Sequence, residues 1–258
     1  MEKKPYILIT NDDGVNAKGL KALMEAAKPH GNIVVVAPSE SQSGMSHAIT
    51  VKHPLHVHKH TSNGDIPVYS CTGTPVDCVK IALNEILDRK PDLLLSGINH
   101  GANSSSSVIY SGTMAAAREG SINSIPSIGF SLLDFDSDAD FSQSINFASK
   151  IIKNAIKHGI PEDVCLNVNI PAIMESEIKG IKICRQTRGL WVEEFDKRVD
   201  PYNREYYWLT GQYKNLEPEA EDTDEWALAN NYIAIVPLQI DMTSYPAMGH
   251  LKKWDHEK

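Results

Sequence analysis

The chain has no apolar run long enough to cross a bilayer, so no membrane-spanning helix is expected. It has no CxxC pair either. Its four cysteines, Cys71, Cys78, Cys165 and Cys184, are scattered, which argues against zinc-ribbon and redox-motif readings and for buried free thiols. Basic residues are in deficit, 25 against 33 acidic ones, and the formal net charge of −8 disfavours a nucleic-acid backbone or an anionic membrane as the main partner. Small anionic substrates stay open, because a bound metal inverts the local charge. Residues 1–4 carry neither the apolar segment nor the cleavage site of a secretory leader, and the expected location is cytoplasmic. No internal repeat is evident, and Gly97 and Gly101 are misspaced for a G-x-G-x-x-G dinucleotide fingerprint. What remains is a chain of 258 residues, 41% apolar, sufficient for one large domain or a core with a smaller attachment.

The stretch that organises the chain is PYILITNDDGVNAKG, residues 5–19. Residues 6–9 form an apolar run bounded by turn residues, which predicts a buried strand. Leu20, Leu23, Met24 and Ala27 then recur at helical spacing, so a strand feeds a loop that feeds a helix. Asp12 and Asp13 are thereby delivered beyond the carboxyl end of a strand, where open α/β sheets form their sites. Adjacent carboxylates repel and are costly to desolvate, and a hard divalent cation such as Mg²⁺ or Mn²⁺ is the simplest compensation. Alone, Asp-Asp-Gly reads equally well as a turn.

The following segments repeat the strand–loop–helix pattern. A strand over 33–36 leads into a polar loop with Ser39, Ser41, Ser43 and Gly44. Residues 49–60 look extended, and Pro54 suits them to an edge strand or hairpin arm. Their histidines, His53, His56, His58 and His60, include a period-two run that needs no metal to explain it. After a strand over 68–71, Thr74, Pro75 and Asp77 form an N-cap, first-turn proline and capping-box spacing. A strand over 93–95 runs into a glycine-rich loop, 96–103, carrying Asn99 and Asn103. Ser111-Gly112-Thr113 opens a helix whose free N–H groups and hydroxyls make a ready anion site, though alone it reads equally well as an ordinary Ser/Thr cap, with Gly120 as the helix stop. A strand over 125–130 and a helix ending at His158-Gly159 complete an alternation that predicts an α/β fold, a mostly parallel sheet with helices on both faces.

Beyond Pro161 the character changes. Strands are expected over 164–170, 181–186, 205–210 and 232–240, with little convincing helix between them. All four tryptophans and six of the nine tyrosines lie here. Extended arms bearing aromatics pair readily with another copy of the chain, so 185–213 reads as an oligomerising or lid hairpin. The acidic stretch 217–225 reads as a solvated loop. The expected organisation is a catalytic core over 1–160, followed by 161–258 as remaining strands, hairpin and tail that do not fold independently.

Four loops now share one expected edge of the sheet. They supply Asp12 and Asp13, Ser43, Asn99, and the Ser111-Gly112-Thr113 helix start. Carboxylate, hydroxyl and amide oxygens suit an octahedral cation that retains water, and the helix N-terminus beside them suits a phosphate. The combination points to metal-assisted attack of water on a phosphorus centre, with a carboxylate taking the proton. Two alternatives stay open: an aspartyl-phosphate formed on Asp12 or Asp13, and a nucleotide-binding sensor module without turnover.

ITNDDG (9–14), VVAPSESQSGMSHAIT (35–50), TGTPVDCVK (72–80), LLLSGINHGAN (93–103) and YSGTMAAAREG (110–120) occur in the order found in the SurE family, the survival-protein-E nucleotidases. RQTRGLW (185–191) and EYYWLTG (205–211) continue the resemblance loosely. It implies a Rossmann-like core and a divalent-metal-dependent phosphomonoesterase acting on nucleoside 5′- and 3′-monophosphates. It further implies one Mg²⁺ or Mn²⁺ per subunit and a homodimer or homotetramer held by exchanged C-terminal elements. By motif position the metal ligands fall on Asp12, Asp13, Ser43 and Asn99. Phosphate-side or substrate-side residues fall on Ser111, Gly112 and Thr113, with Asn11, Gly44 and Asn103 nearby. One departure stands out: where many relatives carry a glycine and acidic residues after the second asparagine, this chain has Ser104-Ser105-Ser106-Ser107.

Overall fold

Ile7 and Ile9 turn to one face of strand β1 (Tyr6–Thr10) and Leu8 to the other, and both faces are buried. A strand covered on both sides has no polar alternation, which is why this stretch reads as a continuous apolar run. The structure is a computed structural model that describes residues 4–60, 66–136 and 138–256. Residues 1–3, part of the segment read as lacking a secretory leader, lie outside them.

In chain order β1 is followed by α1 (Lys18–Ala27), β2 (Asn32–Pro38), β3 (Val57–His60), β4 (Val68–Cys71), α2 (Pro75–Ile81) and β5 (Leu93–His100). Then come α3 (Gly112–Ile122), β6 (Ser127–Leu132), α4 (Ser142–His158), β7 (Val164–Ile170) and β8 (Gly180–Ile183). Strands β9 (Gly189–Val192), β10 (Phe195–Val199), β11 (Glu205–Leu209) and β12 (Gln212–Asn215) form the arm. The chain closes with α5 (Asp224–Ala229), β13 (Tyr232–Gln239) and α6 (Tyr245–Leu251).

One nine-stranded sheet carries the fold, in the order β3-β4-β2-β1-β5-β6-β7-β13-β8. The run from β4 through β7 is parallel, while β3 and β13 pair antiparallel with their neighbours β4 and β7. Helices α1 and α4 cover one face over Leu20, Leu23, Phe130 and Ile152; α2 and α3 cover the other over Val79, Ala116 and Leu94. The chain goes from β1 to β2 on one side and reaches β5 on the other. The carboxyl ends of β1 and β5 therefore flank a topological switch point, where such sheets open a crevice. Thr74 caps α2 with both halves of the predicted capping box, Thr74 Oγ1 accepting from Asp77 N and Asp77 Oδ2 from Thr74 N. All four cysteines are buried and free, as expected. Among the described residues no helix is long and apolar enough to cross a membrane.

Several expectations need correction. The segment 96–103 is not all loop: β5 continues to His100, pairing with β6 across a register shift between Ser96 and Asn99. Of 49–60 only β3 is strand, an edge strand in which His60 Nε2 bonds Ser70 Oγ at 2.8 Å. Gly120 does not stop α3. It is buried two residues before the helix end, where a Cβ would lie 2.3 Å from Ser127 Oγ, so its role is close packing. The arm is two antiparallel ribbons, β9–β12 at the root and β10–β11 at the tip. Helices α5 and α6 were missed, because six and seven residues are too few to establish a period. The acidic stretch is not merely solvated: Arg185 pairs with Glu217 at 2.6 Å and Asp222 at 2.8 Å, and Asp224 is buried.

Candidate functional site

At the end of β1 the backbone turns sharply, with Gly14 at φ +100°. Asn11 holds that turn with both ends of its amide: Nδ2 donates to Gly14 O at 3.0 Å and Oδ1 accepts from Gly14 N at 3.2 Å. Expected beside the phosphate, Asn11 is instead fully buried as the staple of the carboxylate loop. The next residue, Asp12, is 4% exposed. Its backbone carbonyl accepts from Gln42 N at 2.7 Å, joining the loop after β2, and its Oδ1 accepts from the Thr113 hydroxyl on α3. Thr113 thus supports a carboxylate, whereas its hydroxyl was expected on the phosphate side. Gly112 is required there, because a Cβ would lie 2.7 Å from Asp12 Cβ.

Burial raises the Asp12 carboxyl to about 6, with the charge of Asp13 adding to the effect and the Thr113 hydrogen bond opposing it. Burial also raises Asp13, with His100 opposing. Asp13 Oδ2 is buried without a hydrogen-bond partner. Adjacent carboxylates that both resist ionisation, one of them with an unpartnered oxygen, form a donor set that a bound cation would satisfy.

The remaining donors are oxygens too. Asn99 directs Nδ2 to the carbonyls of His100 and Gly101, both at 2.9 Å, which leaves Oδ1 unengaged among the described residues. Among the described residues, the hydrogen-bond partner of Ser43 Oγ is Ser41 Oγ, at 3.1 Å. Among the described residues no group of three or more His, Cys, Asp or Glu could hold a metal, so a cation here would depend on two carboxylates plus hydroxyl and amide oxygen. That set fits a hard divalent ion and not zinc or copper.

A cleft of about 500 Å³ joins these elements. Asp12, Ser43, Gly44, Asn99, Asn103 and Ser111, all expected from sequence, line it together. Ser111 caps α3, its Oγ accepting from Met114 N at 3.0 Å, and brings the N-terminal end of the helix to the cleft wall. Asn103 is fixed by a buried asparagine network: its N donates to Asn169 Oδ1, its Nδ2 to Ser131 Oγ, and its carbonyl accepts from Asn167, each at 2.8 Å.

Sequence reasoning missed the opposite wall. His100, Tyr110 and Phe135 line it from the core, and Trp191, Glu194, Leu209 and Thr210 reach it from the arm. The concentration of aromatics in the arm was the signal, and these four arm residues line the chain's own cleft. Its root is locked by Asp224, which accepts from Ser105 N (2.8 Å), Thr187 N (2.9 Å) and Thr187 Oγ1 (2.5 Å). The serine run is thereby tied to the arm. A larger cavity of about 680 Å³ lies elsewhere, against Arg118, Ile122 and Leu238, and none of the carboxylate-loop residues reaches it.

The family described as survival protein SurE matches residues 7–193. A protein of Flavobacterium psychrophilum named 5′-nucleotidase SurE is 53% identical over 256 residues, spanning 99% of both chains. One of the same name from Flavobacterium johnsoniae is 54% identical over 254 residues, spanning 98% of both. The crystal structure of the SurE protein from Aquifex aeolicus superposes with a TM-score of 0.84 at 40% identity, covering 97% of this chain and all of that one.

Proposed function

The chain belongs to the SurE family, and on that premise we propose that it is a 5′-nucleotidase, a phosphoric monoester hydrolase that converts nucleoside 5′- and 3′-monophosphates to nucleoside and phosphate. The observation that carries this reading is the adjacent Asp12–Asp13 pair at the end of β1: Asp12, itself buried, lies against the N-terminus of α3 and lines the cleft, and Asp13 has its Oδ2 buried without a hydrogen-bond partner. Asp12, Asp13, Ser43 Oγ and Asn99 Oδ1 would hold one Mg²⁺ or Mn²⁺ per subunit. A divalent ion there lowers the pKa of a water and neutralises charge on the phosphoryl oxygens. The chain's own residues do the rest. The amides at the start of α3, beside Ser111 and Gly112, receive the phosphate, while Thr113 behind them holds the Asp12 carboxylate. Gly44 leaves its side of the cleft open, with nothing within 4 Å of where a Cβ would stand. Asn103, rigid in its network, bounds the ester side. Asp13, with one oxygen unengaged, takes the proton of the attacking water.

The exposed arm supports a homodimer or homotetramer. Phe195, Tyr207 and Trp208 are 66, 55 and 59% exposed on an edge ribbon, a surface suited to a second copy.

The test is phosphate release by the purified chain from 5′-AMP and 5′-GMP with Mg²⁺ or Mn²⁺, paired with acid quenching. Release without an acid-stable phosphoenzyme is expected. Nucleotide binding without release would reduce the chain to a sensor, and a trapped aspartyl-phosphate would replace water with Asp12 or Asp13 as nucleophile.

A further inference from the structure

The cleft has two chemically different sides. Its floor is polar, built from Asp12, Ser43, Asn99 and Ser111. Its rim is aromatic: Tyr110, Phe135 and Trp191 remain 59, 81 and 39% exposed around that floor. Planar rings left open beside a phosphate-sized polar site suit the flat face of a nucleobase, which stacks on aromatics whatever its identity. Stacking alone therefore gives affinity without choosing a base.

A choosing group is present on the same rim. Among the described residues that line the cleft, the carboxylates are Asp12 and Glu194. Asp12 belongs to the floor. The Glu194 carboxylate has no hydrogen bond or ion pair with any described residue, yet its backbone is pinned. Thr210 N donates to Glu194 O at 2.7 Å, and Thr210 Oγ1 donates to Glu193 O at 3.3 Å. Between β11 and β12, Gly211 packs so closely that a Cβ would lie 3.0 Å from Val192 O and 3.4 Å from Glu194 Cα. A free acceptor is thus carried by a residue that lines the cleft, on a backbone corner fixed between β9 and β10.

We propose that Glu194 reads the Watson–Crick edge of guanine, so that guanosine monophosphate is the preferred substrate; this rests on the nucleotidase reading above. Guanine presents two adjacent donors, N1–H and the N2 amino group, which match the two oxygens of one carboxylate. Adenine presents its N6 donor beside the N1 lone pair, and that lone pair would face a carboxylate oxygen. Inosine keeps N1–H and loses the amino group. A site built on a hydrogen bond rejects the analogue that lacks it far better than one built on shape.

The experiment is kcat/KM for GMP, IMP and AMP on wild type, Glu194→Gln and Trp191→Ala. Wild type should follow the order GMP, IMP, AMP, with GMP over AMP by about tenfold or more. Glu194→Gln should collapse that ratio about tenfold through the KM for GMP, because an amide offers only one acceptor and sets a donor against a donor. Trp191→Ala should raise KM for all three and keep the ratio. A wild-type GMP-to-AMP ratio below about two, or an unchanged ratio in Glu194→Gln, overturns the proposal. If no nucleotide is turned over, the nucleotidase reading alone has failed. Calorimetric affinities of GMP and AMP with Mg²⁺ present then decide guanine selection by the same ratios.

Discussion

Replacing Asp12 with Asn should make the metal-free protein more stable while abolishing its activity. The buried Asp12 carboxyl lies near 6 against an ordinary 3.8. At about 1.4 kcal/mol per pKa unit, holding it ionised in the folded chain costs about 3 kcal/mol. The folded-state pKa is raised, so between pH 3.8 and 6 the unfolded chain binds fewer protons than the folded one and stability falls as pH rises. Below that window both states are protonated and the cost vanishes. Asparagine does not titrate and keeps an oxygen for the Thr113 hydroxyl, but its amino group needs a new acceptor, which offsets about 1 kcal/mol. The net gain at pH 7.5 is about 2 kcal/mol, or roughly 4–8 °C in Tm for a chain of this size. The assay is thermal unfolding in EDTA from pH 4 to pH 8 on both proteins. The gap should open between pH 4 and pH 6 and then stay constant. Adding Mg²⁺ at a hundredfold excess over its dissociation constant should return about 2.7 kcal/mol to wild type and nothing to the variant. A variant less stable than wild type in EDTA at pH 7.5, or a gap independent of pH, would refute the reasoning.

Gly112→Ala drives a Cβ to 2.7 Å from Asp12 Cβ, so Asp12 must move. Activity should fall on the order of a hundredfold while Tm changes by only a few degrees, since alanine favours a helix by about 1 kcal/mol. Asp224→Ala strips the acceptor from Ser105 N, Thr187 N and the Thr187 hydroxyl. It should cost roughly 3 kcal/mol in chemical denaturation and open the arm root to tryptic cleavage after Arg188; an unaltered cleavage pattern would mean that the arm is held elsewhere. Alanine at His56 or His58, on the exposed edge beyond the cleft, should leave kcat/KM within about twofold, and a large loss would bring the histidines back into the chemistry.

The strands and caps legible in the sequence were those whose signals are local. Strands 68–71 and 164–170 match β4 and β7 residue for residue, because both are bounded by turn chemistry that the chain itself carries. The capping box at Thr74 was legible for the same reason. What the sequence hid depends on distant partners. The length of β5 is set by β6, which pairs with it beyond a bulge. The depth of Asn11 and the use of Thr113 depend on where α3 docks against β1, and no spacing within either motif encodes that. The cleft floor was legible from residue types after strands; the aromatic wall was not, because Trp191 and Leu209 reach it from an arm 80 or more residues beyond Tyr110. Asp224, inside an acidic run, could be told from its solvated neighbours only by what it faces.

The most direct test of the carboxylate pair as the metal-holding centre is phosphate release from GMP by wild type and Asp13→Asn, titrated with Mn²⁺ from an EDTA-stripped start. Wild type should be inactive when stripped and recover saturably with metal, whereas Asp13→Asn should stay inactive at every concentration with its fold intact. Turnover by the stripped wild type, or recovery of Asp13→Asn to wild-type rates, would contradict the account.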